Sequence, residues 1–163
     1  MTATPDLAGT PIPSVALHES SPGNKVDLAA ELANKKGVII GVPAAFSPAC
    51  SSSHVPGFMN HPKVKDGSAG SVFVVAVNDA FVMKAWAESL DKDSSSGLRF
   101  LADPAGEFTS ALHSSLLWDG RAIFGNDRSK RYVALVDNGK VTNAFVEPDN
   151  TGLDVSKAEK VLA

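Results

Sequence analysis

The 163-residue sequence contains a single cysteine, Cys50, and this scarcity excludes two common uses of the residue. One thiol cannot form a disulfide within the chain, and it cannot supply a zinc site built from several cysteines. The sequence also has no excess of basic residues, because its formal net charge is −3, so its charge gives no indication of nucleic-acid binding. We therefore expect no nucleic-acid partner, and we find no motif for a metal ion or a cofactor.

The sequence has no apolar run long enough to span a membrane. The longest run, GVIIGVPAAF at 37–46, is broken by proline and falls short of the roughly 18 residues that a spanning helix needs. The N-terminus shows no signal-peptide pattern, and the C-terminal KVLA matches no short retention or peroxisomal signal. We expect no membrane partner and, by default, a reducing cytoplasmic location. A mitochondrial or peroxisomal location, with loss of a transit peptide, stays open.

Strand-like and helix-like segments alternate along the chain. With 44% hydrophobic and 20% charged residues, the composition is ordinary for a soluble globular protein. The order predicts one α/β domain over residues 1–163, with a central mixed sheet flanked by helices. The predicted strands lie at Val38–Val42, Val72–Val77 and 97–103, and the predicted helices at 48–60, 79–90, 103–112 and 155–163.

Local signals predict where several helices begin or break. Asp79 is expected to cap its helix, and Asp103 followed by Pro104 is typical of a cap with proline in the first helical position. Ser156, with Glu159 three residues later, suggests a cap for the last helix. Pro56 is expected to kink or end the helix at 48–60, because proline lacks the N–H of a helical hydrogen bond.

Two hairpins are predicted. Asn138-Gly139 separates two strand-like runs within RYVALVDNGKVTNAFVE, and this dipeptide suits a turn in which both central residues need positive φ. Near the N-terminus, SVALHE and KVDLAAEL flank SSPGN, which predicts an appended hairpin followed by a first helix.

Cys50 lies in GVPAAFSPACSSSHVPGF, just after a predicted buried strand. Ser47 can cap the following helix and Pro48 fits its first position, so Cys50 falls in the first turn. Free backbone N–H groups and the positive end of the helix dipole favour the thiolate there. The alternative is a small buried thiol without chemistry, which the surrounding prolines and serines do not favour.

Two other catalytic readings of Cys50 are open but weaker. His54, four residues later, falls on the same helix face, yet no Asp or Asn can be identified to orient it as a hydrolase base. A partly buried polar residue near the site is the preferred interpretation of His54. Cys50 and Ser53 match C-x-x-S, the motif of a monothiol disulfide oxidoreductase, but four positions within a serine run carry little specificity.

A longer pattern is far more specific. Pro43, Ser47 and Cys50 form P-x-x-x-S-x-x-C, and the chain continues with VNDAFVMKAW, FLADPAGEF, SKRYVALVDNGKV and VEPDNTGL. From about Val15 onward the sequence resembles the type-5 peroxiredoxins, including their fungal and plant members. The resemblance implies a thioredoxin-like fold and a peroxidase that reduces hydrogen peroxide and alkyl hydroperoxides through a cysteine sulfenic acid.

The resemblance also implies roles for individual residues. Cys50 would be the peroxidatic cysteine, Ser47 the hydroxyl that hydrogen-bonds the peroxide, Pro43 the residue that shields the pocket and Arg131 the site arginine. A hydroxyl and a guanidinium can stabilise the negative charge on a departing oxygen, and Arg131 would favour the Cys50 thiolate. By itself, Arg131 would be read as a surface residue at the start of a strand.

The sequence departs from the family pattern twice. Ser47 stands where many relatives have threonine, and Val155 stands in TGLDVS where many have a resolving cysteine. The resemblance therefore implies a one-cysteine enzyme that is recycled by an external thiol such as glutathione, glutaredoxin or thioredoxin. It also implies a homodimer. A non-catalytic peroxide sensor or holdase on the same fold is the remaining alternative, and Pro43, Ser47 and Arg131 favour the peroxidase.

Overall fold

A seven-stranded mixed sheet forms the centre of the protein, in a computed structural model that describes residues 6–163. The first five residues of the expected domain lie outside this range. The sheet has the order β2-β1-β5-β4-β3-β8-β9, and β6 and β7 form a separate two-stranded sheet. The strands are β1 Ala16–Glu19, β2 Ser21–Asp27, β3 Lys36–Val42, β4 Ser71–Ala76, β5 Arg99–Ala102, β6 Leu117–Trp118, β7 Arg128–Ser129, β8 Tyr132–Asp137 and β9 Lys140–Val146.

The strands at the middle of the sheet run parallel, and those toward its edges run antiparallel. β4 pairs in parallel with both β3 and β5, whereas β8 and β1 pair antiparallel with β3 and β5. A parallel centre requires cover on both faces, which matches the continuous burial of β3 and β4. The predicted mixed α/β sheet is confirmed.

Seven short helices and one 3₁₀ turn (Ser114–Leu116) are found among residues 6–163. The helix after β3 begins at 48 and widens into a π-helical turn over Cys50–His54, which continues as α2. The helices are α1 Leu28–Glu31, α2 Val55–Met59, α3 Pro62–Lys65, α4 Ala80–Leu90, α5 Glu107–Leu112, α6 Arg121–Phe124 and α7 Ala158–Val161. None of the helices in this range has the length and apolar character needed to cross a membrane.

Alternate residues of β3 face two separate cores. Val38, Ile40 and Val42 lie in the core that contains Cys50, to which α2, α4 and α7 also contribute. Ile39 lies in the second core, on the face covered by α1 and α5. Successive strand residues point to opposite faces, so one short apolar run serves both cores. The Cys50 thiol is therefore part of the core on one face of the sheet.

Several local predictions are confirmed. The Asp79 carboxylate accepts a hydrogen bond from the Val82 N–H (2.9 Å) at the start of α4. Asn138 and Gly139 have φ values of 52° and 76° and join β8 to β9. The N-terminal hairpin is formed by β1 and β2, but it is not an appendage, because β1 pairs with β5 and extends the main sheet.

Two helix starts differ from the prediction, and of the two effects expected of Pro56 one is not found. Pro56 does not end its helix, since the Val55 N–H bonds the Cys50 carbonyl in the π turn just before it and the backbone continues. Asp103 does not start α5 directly; a turn through Gly106 (φ 72°) intervenes, although its carboxylate still accepts from the Phe108 N–H.

Ser156 was also predicted wrongly as a helix cap. Its hydroxyl donates to the Glu147 carboxylate (2.6 Å) instead of accepting from the backbone, and α7 begins two residues later. A hydrogen bond donated to a charged carboxylate is stronger than one accepted from a backbone N–H, so the Ser156 hydroxyl bonds Glu147.

Candidate active site

The Cys50 thiol is fully buried in the first turn of the helix that follows β3. The Ser51 N–H donates to the Ser47 carbonyl (2.9 Å), which begins the helix. The Ser47 hydroxyl lies 2.8 Å from Cys50 Sγ and 3.0 Å from the Ala44 carbonyl, so its single proton can be donated to either. The expected helix start is correct, but the Ser47 side chain faces the sulfur rather than capping a backbone N–H.

Arg131 is not the surface residue that its local sequence suggests. Only 1% of it is exposed, and its Nη1 lies 3.2 Å from Cys50 Sγ, although 81 positions separate the two residues. The guanidinium thus donates a hydrogen bond to the sulfur and places a positive charge beside it in a buried position. The structure thus brings together the predicted cysteine, serine and arginine.

The Arg131 side chain is held on three sides. Nε donates to the Gly152 carbonyl (3.0 Å), Nη2 to the Thr151 carbonyl (3.4 Å) and Nη1 also contacts His54 Nδ1 (3.0 Å). Two carbonyl oxygens and one ring nitrogen thus fix the planar group in one orientation. An arginine held in this way keeps its position relative to the sulfur without help from a substrate.

His54 is more closely involved in the site than its sequence position indicated. Its Nε2 lies 3.1 Å from the Ser156 carbonyl, which can only accept, so Nε2 carries the proton and Nδ1 accepts from Arg131. Burial, with a smaller contribution from the Arg131 charge, lowers the pKa of His54 from 6.5 to about 3. The ring is neutral and orients the arginine. The four-residue spacing from Cys50 is the sequence feature that could have indicated this.

Pro43 is buried at the beginning of the loop that leads to Cys50. Its carbonyl accepts from Arg128 Nη1 (3.4 Å), and two residues later the Ala45 N–H donates to Asn78 Oδ1 (3.1 Å). These two contacts hold the loop at both sides. The loop between β3 and Cys50 is therefore tied to two other parts of the chain.

Two further predictions bear on chemistry. Ser53, the serine of the C-x-x-S match, is exposed, whereas Cys50 is buried. Among residues 6–163 no cluster of three or more His, Cys, Asp or Glu side chains is arranged to hold a metal ion. The arrangement around Cys50 is that of a single buried thiol with two hydrogen-bond donors, the Ser47 hydroxyl and Arg131 Nη1.

Comparisons with known proteins agree with this geometry. The redoxin family model matches residues 7–162. Peroxisomal membrane associated protein 20 of Schizosaccharomyces pombe is 44% identical over 157 residues, covering 95% of this chain and 96% of that protein. Peroxiredoxin-2C of Oryza sativa subsp. japonica is 42% identical over 131 residues, covering 80% and 78%. The crystal structure of peroxiredoxin 5 from Alvinella pompejana superposes with a TM-score of 0.79 at 34% identity, covering 90% and 93%.

The chain therefore belongs to the redoxin family. Within it, the chain is a peroxiredoxin of the type-5 class with a single cysteine and a thioredoxin-like fold. It is a thiol-dependent peroxidase, an oxidoreductase that uses a thiol to reduce a peroxide. The resemblance noted in the sequence is confirmed, and neither the sensor or holdase nor the monothiol oxidoreductase is favoured.

Proposed function

We propose that Cys50 is the peroxidatic cysteine. Its thiolate attacks one oxygen of the peroxide, an S–O bond forms as the O–O bond breaks, and the departing oxygen leaves as water or an alcohol after protonation. The cysteine is oxidised to a sulfenic acid while the peroxide is reduced. The observation that carries this proposal is the pair of donors on Cys50 Sγ, the Ser47 hydroxyl at 2.8 Å and Arg131 Nη1 at 3.2 Å.

Ser47 and Arg131 are proposed to act on the peroxide as well as on the sulfur. Both donors lie within hydrogen-bond distance of Cys50 Sγ, so they are close enough to the reacting sulfur to stabilise the negative charge that develops on the departing oxygen. Pro43, buried in the fixed loop, is proposed to keep bulk water from the thiolate.

The sulfenic acid is proposed to be reduced by an external thiol. The first thiol condenses with it to give a mixed disulfide and water, and a second thiol releases reduced Cys50 as a disulfide forms between the two donors. The presence of Val155 where many relatives have a cysteine supports this route, because the chain offers no second thiol. Glutathione, glutaredoxin and thioredoxin are the candidate donors.

The reductant is tested by peroxide consumption at fixed enzyme concentration with each donor system in turn. Wild-type protein should turn over with at least one of them, whereas Cys50→Ser, the matched control, should match the rate without enzyme. A wild-type protein that is folded and reacts once with peroxide, but turns over with none of the three, would contradict the proposed donors.

A homodimer is also proposed, with support from three exposed apolar side chains. Phe46, Phe81 and Ile123 are 54%, 65% and 72% exposed. Phe46 belongs to the loop that is hydrogen-bonded to Asn78 and Arg128. Asn78 lies just before α4, which carries Phe81, and Arg128 lies after α6, which carries Ile123. Apolar side chains around one loop favour association.

For the location, the name of the S. pombe relative supports the peroxisome over the cytoplasmic default. A fluorescent fusion should coincide with a peroxisomal marker, and diffuse fluorescence throughout the cell would contradict that assignment.

A further inference from the structure

Glu147 is a buried carboxylate that the reaction outlined above does not use. It lies opposite Arg131 across the β8–β9 pair, since the next pair in register is Tyr132 with Val146, and the Glu147 N–H donates to the Arg131 carbonyl (3.0 Å). Both side chains are only 1% exposed. Among the described residues, however, neither takes part in an ion pair.

Instead of pairing with each other, Arg131 and Glu147 both form hydrogen bonds with the segment at 151–156. Its carbonyl groups face the site: those of Thr151 and Gly152 accept from Arg131, and that of Ser156 bonds His54. These contacts fix the orientation of the Arg131 guanidinium and of the His54 ring, which itself contacts Arg131.

The amide groups of the same segment face Glu147. The carboxylate accepts four hydrogen bonds, from the N–H groups of Asp154 (2.8 Å), Val155 (3.3 Å) and Ser156 (3.0 Å) and from the Ser156 hydroxyl (2.6 Å). A buried carboxylate is tolerable only when it is hydrogen-bonded in this manner, and in return it fixes the backbone that supplies the donors. Ser156 connects the two sides directly, because it donates to Glu147 and accepts from His54.

We propose that Glu147 is a positioning residue for the peroxidase reaction: through segment 151–156 it fixes the carbonyl groups that hold Arg131 and His54, and thereby keeps Arg131 in contact with Cys50. The inference rests on the role proposed for Arg131. It also gives a reason for the fold of this segment in a chain that has Val155 there instead of a thiol.

The direction in which the alkylation midpoint of Cys50 moves in a Glu147 variant would separate positioning from simple electrostatics. If Glu147 acted only as a nearby negative charge, then Glu147→Gln would favour the Cys50 thiolate and move the midpoint of its alkylation titration to lower pH. If Glu147 holds Arg131 in place, then the same substitution weakens the contact between Arg131 and the sulfur, and the midpoint moves to higher pH.

The test uses the purified full-length protein and compares Glu147→Gln with Glu159→Gln. Glu159 is exposed on α7, so the second variant makes the same chemical change a few residues beyond the segment. We expect Glu147→Gln to slow the single-turnover reaction with hydrogen peroxide by about 10- to 100-fold, in keeping with the effect of misplacing a reacting group. We also expect its alkylation midpoint to rise, while Glu159→Gln keeps the wild-type values for both.

Two further variants keep the inference falsifiable. Combining Glu147→Gln with Arg131→Gln should add little to the loss caused by Arg131→Gln alone, because the two residues act as one unit. If Glu147→Gln does not fold, Ser156→Ala removes a single hydrogen bond to the carboxylate and should shift the rate and the midpoint in the same directions by smaller amounts.

The possible results fall into distinct cases. A folded Glu147→Gln protein with the wild-type rate, or with a lowered midpoint, would overturn the inference, as would full additivity with Arg131→Gln. Where Glu147→Gln does not fold, a Ser156→Ala protein with the wild-type rate and midpoint would overturn it too. If Arg131→Gln itself reacts at the wild-type rate, then the proposed role of Arg131 has failed and the inference fails with it.

Discussion

Acid should destabilise this protein through His54, and the structure allows the size of the effect to be worked out. The ring is 1% exposed, donates from Nε2 to the Ser156 carbonyl and accepts at Nδ1 from Arg131, so a second proton would have to displace that guanidinium. The pKa of His54 falls from 6.5 to about 3 on folding, mainly through burial. Below pH 6.5 the unfolded chain therefore binds a proton that the folded chain does not.

The sign and magnitude follow from that difference. Because the unfolded state binds more protons, the free energy of unfolding decreases as the pH falls below 6.5, and the loss continues to about pH 3. At about 1.4 kcal/mol per pH unit, lowering the pH from 8 to 5 should remove about 2 kcal/mol through this residue alone. That amount is a large part of a typical domain stability of roughly 5–15 kcal/mol.

The assay is urea denaturation of reduced protein at pH 8, 7, 6 and 5, followed by tryptophan fluorescence, since Trp86 is buried in the core. His54→Gln is the matched variant, because glutamine can donate and accept but does not titrate. The wild type should lose about 2 kcal/mol more than His54→Gln between pH 8 and pH 5, with similar denaturant slopes. Parallel losses in the two proteins would show that His54 is not held neutral and that the account of this residue is wrong.

Three further predictions follow from the site and the surface. Replacing Ser47 with alanine should slow reduction of peroxide by about tenfold or more, since a hydrogen bond to a charged group is lost, whereas Ser47→Thr should stay near the wild-type rate. Stopped-flow kinetics would show the contrast, and equal rates for the wild type and Ser47→Ala would argue against a role for the hydroxyl. With excess peroxide and no thiol, intact mass spectrometry should show two or three oxygens added to the protein. With glutathione present, it should show a glutathione adduct or the reduced protein. A disulfide between two Cys50 residues as the sole product would mean that the cysteine of a second subunit reduces the sulfenic acid of the first. Light scattering at micromolar concentration should give twice the mass of one chain, and a monomeric mass would refute the dimer.

Much of the fold could be predicted because the signals are local. Asp79 caps α4 with its own carboxylate, and Asn138-Gly139 turns between β8 and β9, both through bonds within a few residues. Asp103 and Ser156 depart from the prediction because their side chains bond other partners: the Asp103 carboxylate accepts from a backbone N–H beyond an intervening turn, and the Ser156 hydroxyl donates to Glu147. Short polar residues have several acceptors and donors within reach, and tertiary packing decides among them.

The site could be predicted only in part. Cys50 and Ser47 lie three positions apart on one helix start, so spacing alone brings them together. Arg131 contacts the sulfur from 81 positions away, and no periodicity links the two residues, so only the resemblance to a known family identified it. The neutral state of His54 and the four hydrogen bonds of Glu147 depend on segment 151–156, whose backbone conformation no sequence pattern specifies.

The claim that Cys50 is the residue that reacts with peroxide is tested most directly by mass spectrometry. Reduced protein would be mixed with one equivalent of hydrogen peroxide in the presence of dimedone, which traps sulfenic acids, and then digested to locate the adduct. We expect one dimedone on Cys50 in the wild type and none on Cys50→Ser, in proportion to the peroxide consumed. Rapid loss of peroxide with unmodified Cys50, or the same loss in a folded Cys50→Ser protein, would contradict the account.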